Sequence, residues 1–158
     1  MFSPRILFAA CCALILSFMA GCNCCDSCDT CPSTTELAFE SLSQGATSGV
    51  DDTHIVLARN PSEWNALWIA VNSGSLSAKA APEVDFSKEM VVGVFLGQRP
   101  TAGFGVMVLG CTIEKGMLSV QVRESKPPTG QAQATMVTRP YQLVKLAKTE
   151  GTPVLDWQ

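Results

Sequence analysis

The chain has 158 residues, 47% of them apolar, with eight cysteines, one histidine and a net charge of −3 at pH 7. This length suits one domain with a real hydrophobic core, once an export signal has been set aside. The mildly acidic balance offers no basic footprint for nucleic acid or for anionic lipid, so we expect no nucleic-acid partner.

The first 21 residues have the features of a bacterial export signal. Arg5 precedes an apolar run, residues 6–19, and the segment ends in Ala20-Gly21-Cys22. A basic start, a short apolar core and small residues before a cleavage point are typical of secretory signals, and the run is too short for a comfortable membrane span. The ending resembles the lipobox of bacterial lipoproteins, with Met19 where Leu is usual. This resemblance implies that the mature chain begins at a lipidated Cys22; an ordinary secretory signal is the alternative.

A lipid on Cys22 implies a place in the bacterial cell envelope. The protein would be anchored to a membrane by acyl chains, including palmitate, and would face the extracytoplasmic side. Stable anchoring normally needs more than one chain, and bacterial lipoproteins receive several. We therefore expect the membrane to be one partner of this protein.

Residues 22–35 form a small, polar, cysteine-rich segment that we interpret as a flexible tether. Its cysteines are Cys24, Cys25, Cys28 and Cys31, a spacing that resembles a metal or iron–sulfur half-site. Cys24 and Cys25 are adjacent, however, and both can rarely bind one ion without strain. Exported thiols also tend to form disulfides. A disulfide-linked or unconstrained tether is therefore favoured, while a metal- or redox-linked lipoprotein and intermolecular pairing stay open; we expect no cofactor.

The remaining residues, 36–158, predict one mainly β, α+β domain: a small antiparallel sheet or sandwich with one amphipathic helix packed on it. Strand-like runs occupy residues 37–42 and 53–59, separated by a loop at 43–52. Asn60, Pro61 and Glu63 then supply a helix cap, a first-turn proline and a capping box. An apolar stripe follows at helical spacing, and we expect its two tryptophans to anchor the helix in the core. The stripe consists of Trp64, Leu67, Trp68 and Val71.

The second half of the chain is rich in strand signals. Two apolar runs, residues 91–96 and 104–109, flank a Gly- and Pro-containing loop and predict a hairpin. A second hairpin is predicted from residues 106–114 and 117–124, with Lys115-Gly116 as its turn. An exposed loop at 125–133, a long strand at 142–147 and a short edge strand at 154–157 complete the domain.

No catalytic constellation stands out along the chain. His54 lies in an apolar strand run without a placed acid or nucleophile, which favours a structural or surface role. Cys111 lies in the middle of a strand, where a buried, inert thiol is expected. The loop carboxylates lack a partner that would tune their pKa, so we interpret them as solvated charges. They are Asp51, Asp52, Glu83 and Asp85. We therefore expect that the protein is not an enzyme.

Two loops instead suggest binding of another protein. Residues 97–104 and 138–141 each combine an arginine, a proline and an aromatic residue, and interface hot spots favour arginine and aromatic side chains. The alternative is that proline and glycine only shape the turns while the aromatic side chains pack inside. The candidate partner-binding residues are Arg99, Pro100, Thr101, Phe104, Arg139, Pro140 and Tyr141.

The order of these motifs resembles the PrcB C-terminal domain family. The resemblance starts with Trp64-x3-Trp68 and continues through Val84-Asp85-Phe86 and the long run at residues 90–104. It ends with residues 127–130 and 138–146, and its departures are Ala102 in place of a second Gly and Phe104 in place of Tyr. The family's named role is that of a lipoprotein partner of a surface protease complex. The resemblance implies a non-enzymatic module that binds a protease or its complex.

The same two loops are also similar to those of chagasin-type inhibitors of cysteine proteases. Residues 100–104, Pro-Thr-Ala-Gly-Phe, and Arg139-Pro140-Tyr141 resemble two of the three loops that fill a protease cleft on an immunoglobulin-like sandwich. The third, Gly-rich loop is absent, and a Trp-bearing helix does not belong to that sandwich. Protease inhibition is therefore the alternative function.

The lipobox predicts a specific chemical outcome at Cys22. Radiolabelled palmitate should enter the wild-type protein and should fail to enter the Cys22→Ser variant, because the thiol of Cys22 is the proposed attachment point. Cys24→Ser is the matched control and should label like the wild type. Equal labelling of Cys22→Ser and wild type would exclude lipidation at this cysteine.

Overall fold

The structure is a computed structural model that describes residues 34–73, 80–130 and 132–158. The export signal, Cys22 and the tether cysteines Cys24, Cys25, Cys28 and Cys31 lie outside these residues, as does Gln131 of the predicted 125–133 loop. The described part contains eight strands and one helix. They are β1 (Thr35–Leu37), β2 (Phe39–Gly45), β3 (Thr53–Ala58), α1 (Pro61–Asn72), β4 (Glu89–Leu96), β5 (Gly105–Glu114), β6 (Met117–Ser125), β7 (Tyr141–Ala147) and β8 (Thr152–Trp157).

The strands form two four-stranded sheets. The first has the order β1-β5-β6-β8, and the second has the order β2-β7-β4-β3. All pairs within the second sheet are antiparallel, whereas β6 and β8 of the first sheet run parallel. The predicted mainly β, sandwich-like fold with one helix is confirmed, with this one parallel pair added.

The main core lies between the two sheets. From β4, alternate side chains beginning at Met90 and ending at Leu96 point into it, where they meet Val106, Cys111 and Val120 of the first sheet. The other face of β4 presents Val91 and Phe95 to the helix. Seven consecutive residues of β4 are therefore buried, a pattern expected of a central strand that is covered on both faces.

The helix begins where the sequence predicts. The Asn60 side chain accepts a hydrogen bond from the Glu63 backbone N–H at 2.9 Å, and Glu63 accepts in turn from the Arg59 backbone N–H at 2.7 Å. Trp64 is 4% exposed and its indole N–H donates to the Pro82 carbonyl at 3.1 Å. Trp68 is half-buried against the same cluster. Both tryptophans therefore help to seat α1 on the second sheet, as predicted.

The predicted hairpin between residues 91–96 and 104–109 is wrong. β4 pairs with β3 and β7, while β5 pairs with β1 and β6 in the other sheet. Residues 97–104 therefore carry the chain from one sheet to the other. The hairpin of β5 and β6 is confirmed, with its turn at Lys115-Gly116.

The beginning of the domain also differs from the prediction. Residues 37–42 do not form one strand, because the chain changes sheets at Ala38, and β2 continues to Gly45 through part of the predicted loop. The polar end of β2 is held by cross-strand contacts. Ser43 hydrogen-bonds the Tyr141 hydroxyl at 3.1 Å, and the Gln44 side chain donates to the Val106 carbonyl at 2.9 Å. These long-range partners outweigh the weak strand propensity of the local sequence.

Gly93 allows α1 to pack closely on the sheet. A Cβ atom at this position would lie 3.1 Å from Leu143 and Phe95 side-chain atoms and 3.4 Å from a Leu67 methyl group.

Within the described residues, no helix is long and apolar enough to cross a membrane.

Gly93→Ala should destabilise the domain by about 1–3 kcal/mol, because the added methyl group enters a filled helix–sheet interface. Urea unfolding monitored by tryptophan fluorescence measures this change. Gly110→Ala is the control, since a Cβ atom there meets only the flexible end of the Gln121 side chain. Equal stability of the two variants would contradict the packing role of Gly93.

Candidate functional site

The two predicted binding loops meet at one end of the sandwich, which we call the loop end. It comprises residues 46–52, 97–104, 126–130 and 132–140. Arg99 and Thr138 exchange backbone hydrogen bonds of 2.8 and 2.9 Å, and the Thr138 hydroxyl donates to the Thr101 carbonyl at 3.0 Å. Ala102 N–H also donates to the Ala134 carbonyl at 3.1 Å. The loops are thus joined through their backbones.

Gly97 sets the direction in which its loop leaves β4. Its φ angle is +70°, in the left-handed region that glycine adopts without strain. A Cβ atom there would also lie 2.7 Å from the Asp51 carbonyl oxygen and 2.8 Å from the Thr53 nitrogen. Both the backbone angle and the close approach require glycine, so this residue fixes the loop against the chain that enters β3.

Arg99 and Phe104 form one side of the loop end. The Arg99 guanidinium lies 5.9 Å from the centre of the Phe104 ring and donates to the Glu124 carboxylate at 3.1 Å. Phe104 packs against the core between the sheets, and not against the tryptophans of α1. Arg99 is only about one-quarter exposed, so this arginine, with its cation–π contact and ion pair, braces the loop.

Arg139 faces the other way. Because Arg99 pairs with Thr138, and successive side chains of an extended segment point to opposite faces, Arg139 points away from the Arg99 side. Its guanidinium instead forms an ion pair with Asp51, and its backbone N–H donates to the Ala46 carbonyl at 2.9 Å. The two arginines therefore do not combine into one basic surface, and Asp51 has a partner that the sequence did not reveal.

Pro140 and Tyr141 are buried, which corrects their assignment as partner-binding residues. Tyr141 is 9% exposed, and its ring packs over Gly45 and near Phe95, with ring centres 6.4 Å apart. The Pro140 carbonyl accepts from Leu96 N–H at 2.9 Å, which continues the pairing of β7 with β4. This motif is thus the entry of a core strand, and neither side chain is available to a partner.

The exposed apolar residues of the loop end include two that sequence reasoning missed. Met136 is 55% exposed and Val137 is 45% exposed, and both directly precede Thr138. Pro100 and Pro128 are exposed as well, whereas Thr101 is half-buried. Two adjacent apolar residues in a polar loop were the available signal for this patch. We call the exposed apolar residues Pro100, Pro128, Met136 and Val137 the apolar patch, a name for their shared position at the loop end.

The remaining titratable side chains are buried, hydrogen-bonded or exposed. The Cys111 thiol is buried, and burial raises its pKa to about 11, which fits the predicted inert thiol. His54 stacks on Phe95 with ring centres 5.2 Å apart, and its Nδ1 lies 3.0 Å from the Asp52 carbonyl oxygen. Hydrogen bonds from Ser87 lower the pKa of Asp85, while Asp52 and Glu83 are exposed. Among the described residues, no three His, Cys, Asp or Glu side chains converge on a metal-binding geometry.

The segment from β4 to the end of β7 fits the family model described as PrcB C-terminal. Residues 90–147 match the PrcB C-terminal family. The predicted resemblance is confirmed over these residues, which are less than half of the chain; Trp64, Trp68 and residues 84–86 lie outside the matched segment. No curated protein and no solved structure matches the chain.

The likeness to chagasin-type inhibitors finds no support. One of its two loops is Arg139-Pro140-Tyr141, and in the structure this PrcB C-terminal segment buries the proline and the tyrosine. A loop whose proline and aromatic ring lie in the core cannot insert them into a protease cleft. The motif similarity therefore reflects a strand entry and not an inhibitory loop.

Two mutations distinguish the buried position of Tyr141 from the exposed position of Pro100. Tyr141→Ala should lower the free energy of unfolding by about 3–5 kcal/mol, because it empties the space between β2, β7 and α1. Pro100→Ala, at an exposed position of the other loop, should change it by less than about 0.5 kcal/mol. Chemical denaturation measures both values, and a Tyr141→Ala variant as stable as Pro100→Ala would contradict the buried assignment.

Proposed function

We propose that this protein is an exported, lipid-anchored, non-enzymatic module that binds another protein in the bacterial cell envelope, as an accessory or stabilising partner of an extracytoplasmic protease complex. The observation that carries the proposal is the PrcB C-terminal match over residues 90–147. The export and lipidation pattern that ends at Cys22 supports the location.

The arrangement of charged groups at the loop end is consistent with binding of a protein through the apolar patch. Arg99 is engaged by Glu124, and Arg139 is engaged by Asp51, so the arginines stabilise the loops. The loop end also exposes the apolar patch, next to exposed polar residues such as Gln98 and Thr129. Exposed apolar side chains held on braced loops favour association with a protein surface, where burial supplies the free energy.

The loop end, which carries the apolar patch, and Thr34 lie at opposite ends of the domain. Thr34, where the described chain begins, hydrogen-bonds Glu114 at the far end of β5, while the loop end adjoins the start of the same strand at Gly105. The length of β5 separates the two ends by about 30 Å. The described chain thus begins at the end of the domain opposite the loop end.

The proposal is tested by crosslinking in membranes followed by purification of the lipidated protein. A double variant, Met136→Asp with Val137→Asp, should reduce recovery of a crosslinked protease subunit by about tenfold or more. Charges at these positions oppose the burial of two apolar side chains, each worth about 1.5–3 kcal/mol.

The chain offers a matched control on the outer face of the first sheet. Met117 and Val154 are 52% and 46% exposed, close to the values for Met136 and Val137. Met117→Asp with Val154→Asp should leave recovery unchanged. Equal loss in both double variants would show that the apolar patch is not the contact, and recovery of no protease subunit by the wild type would overturn the proposed partnership.

A further inference from the structure

A second surface, separate from the apolar patch, lies between the helix and the edge of the second sheet. A cleft of about 320 Å³ opens between β3 and α1. The fully buried ring of Phe95 lies beneath it, stacked against His54. This volume is enough for one or two apolar side chains, at the lower end of the range for ligand sites. The cleft is lined by Val50, His54, Val56, Leu57, Glu63, Ala66, Leu67, Ala70 and Phe95.

The strand beside this cleft has an open edge. β3 is the last strand of its sheet and pairs only with β4 among the described strands. In an antiparallel pair, alternate residues direct their N–H and C=O groups away from the partner strand. β3 therefore offers backbone donors and acceptors along the cleft. Arg59 donates to the Gly151 carbonyl at 2.7 Å, so the chain that enters β8 approaches this edge near its Ala58 end.

Two carboxylates lie beside the cleft, while the cation next to Glu63, Arg59, donates to the Gly151 carbonyl. Glu63 stands next to the Ala58 end of β3, and exposed Asp52 precedes its Thr53 end. The Arg59 backbone N–H lowers the pKa of the Glu63 carboxyl, which is therefore ionised at neutral pH. No lysine or arginine is among the described residues that line the cleft. An occupant with basic groups at either side would complement this rim.

The cleft is continuous with the loop end. Val50 lines the cleft, and the next residue, Asp51, holds Arg139 of the loop end by an ion pair. Residues 46–52 thus contribute to both surfaces, and Gly49 N–H donates to the Ala70 carbonyl on the helix side at 3.2 Å. A partner that contacts residues 46–52 of the loop end is therefore next to the cleft.

We propose that this cleft binds an extended segment of the partner protein, which adds as a strand to β3, places one apolar side chain over Phe95 and carries a lysine or arginine on each side. This inference rests on the proposed function, because it specifies the chemistry of the segment by which the proposed partner binds. The backbone pairing supplies general affinity, while the cleft and its acidic rim select the sequence.

Synthetic peptides test the inference on the full-length protein in detergent. The probe is an extended seven-residue peptide with a central leucine, threonines beside it and lysines outside them, labelled for fluorescence anisotropy. Replacing the leucine by alanine should weaken binding about tenfold, and replacing the lysines by glutamates should abolish it. An N-methylated version, which lacks alternate backbone donors, should also fail to bind, because it cannot pair with β3.

A substitution in the cleft identifies the site. Ala66→Trp places an indole at an exposed position of the cleft wall and should weaken peptide binding by tenfold or more. Ser62→Trp, on an exposed part of the same helix outside the cleft, is the control and should bind like the wild type. Hydrogen exchange should show added protection in residues 53–58 when the lysine peptide is bound.

The outcomes separate this inference from the proposed function. Absence of binding by the lysine peptide, equal binding of the N-methylated peptide, or unchanged binding by Ala66→Trp overturns the inference even if a protease subunit is crosslinked to the protein. Binding that Ala66→Trp removes and Ser62→Trp retains supports it, including when no protease is recovered.

Discussion

The structure depends on the burial of β4 from both sides. Met90, Val92 and Val94 contact the first sheet, while Val91 and Phe95 contact the helix layer. A strand in this position needs apolar side chains at every residue and must lie in the interior of its sheet, so β7 and β3 flank it. The hydrophobic effect acting on this one segment therefore determines the order of the layers: first sheet, second sheet, helix.

This constraint also explains the geometry of the loop end. The chain leaves β4 at a glycine with positive φ and cannot return beside β4, because both of its edges are occupied by β3 and β7. It must cross to the other sheet, and residues 97–104 make this crossing. Arg99 follows β4, and Thr138 precedes β7, the strand that pairs with β4. The backbones of these two residues therefore pair just beyond the ends of the two strands. Residues 97–104, which lie within the segment that matches the PrcB C-terminal model, thus have a structural role as the crossing between the two sheets.

The sequence predicted what is encoded locally and missed what depends on partners distant in the chain. The helix, its cap and the β5–β6 hairpin follow from residues within a few positions of one another. The hairpin between β4 and β5 was wrong because a Gly- and Pro-containing loop is compatible with a hairpin and with a crossing alike. A signal was present, since β4 is continuously apolar whereas β5 includes polar and glycine positions. β2 was shortened because Ser43 and Gln44 find their partners about 98 and 62 residues away.

The sequence predicted only part of the candidate site, because the environment of its residues also depends on contacts that are distant in the chain. Arginine, proline and an aromatic residue occur in both loops, but their environment is decided by the strands that follow. Tyr141 begins a central strand and is covered by α1, whereas Pro100 lies in a crossing and stays exposed. Met136 and Val137 give only the weak signal of two adjacent apolar residues in a polar loop, and they lie just before Thr138, which is fixed to Arg99 and Thr101.

The two surfaces differ in what they can recognise. The apolar patch lies on loops and presents side chains only, so it suits a preformed apolar surface of a partner. The cleft beside β3 presents backbone groups and one apolar pocket, so it suits an extended segment. Residues 46–52 belong to the loop end and supply Val50 to the cleft, so a partner that engaged both surfaces would gain affinity, because binding at one surface raises its effective concentration at the other.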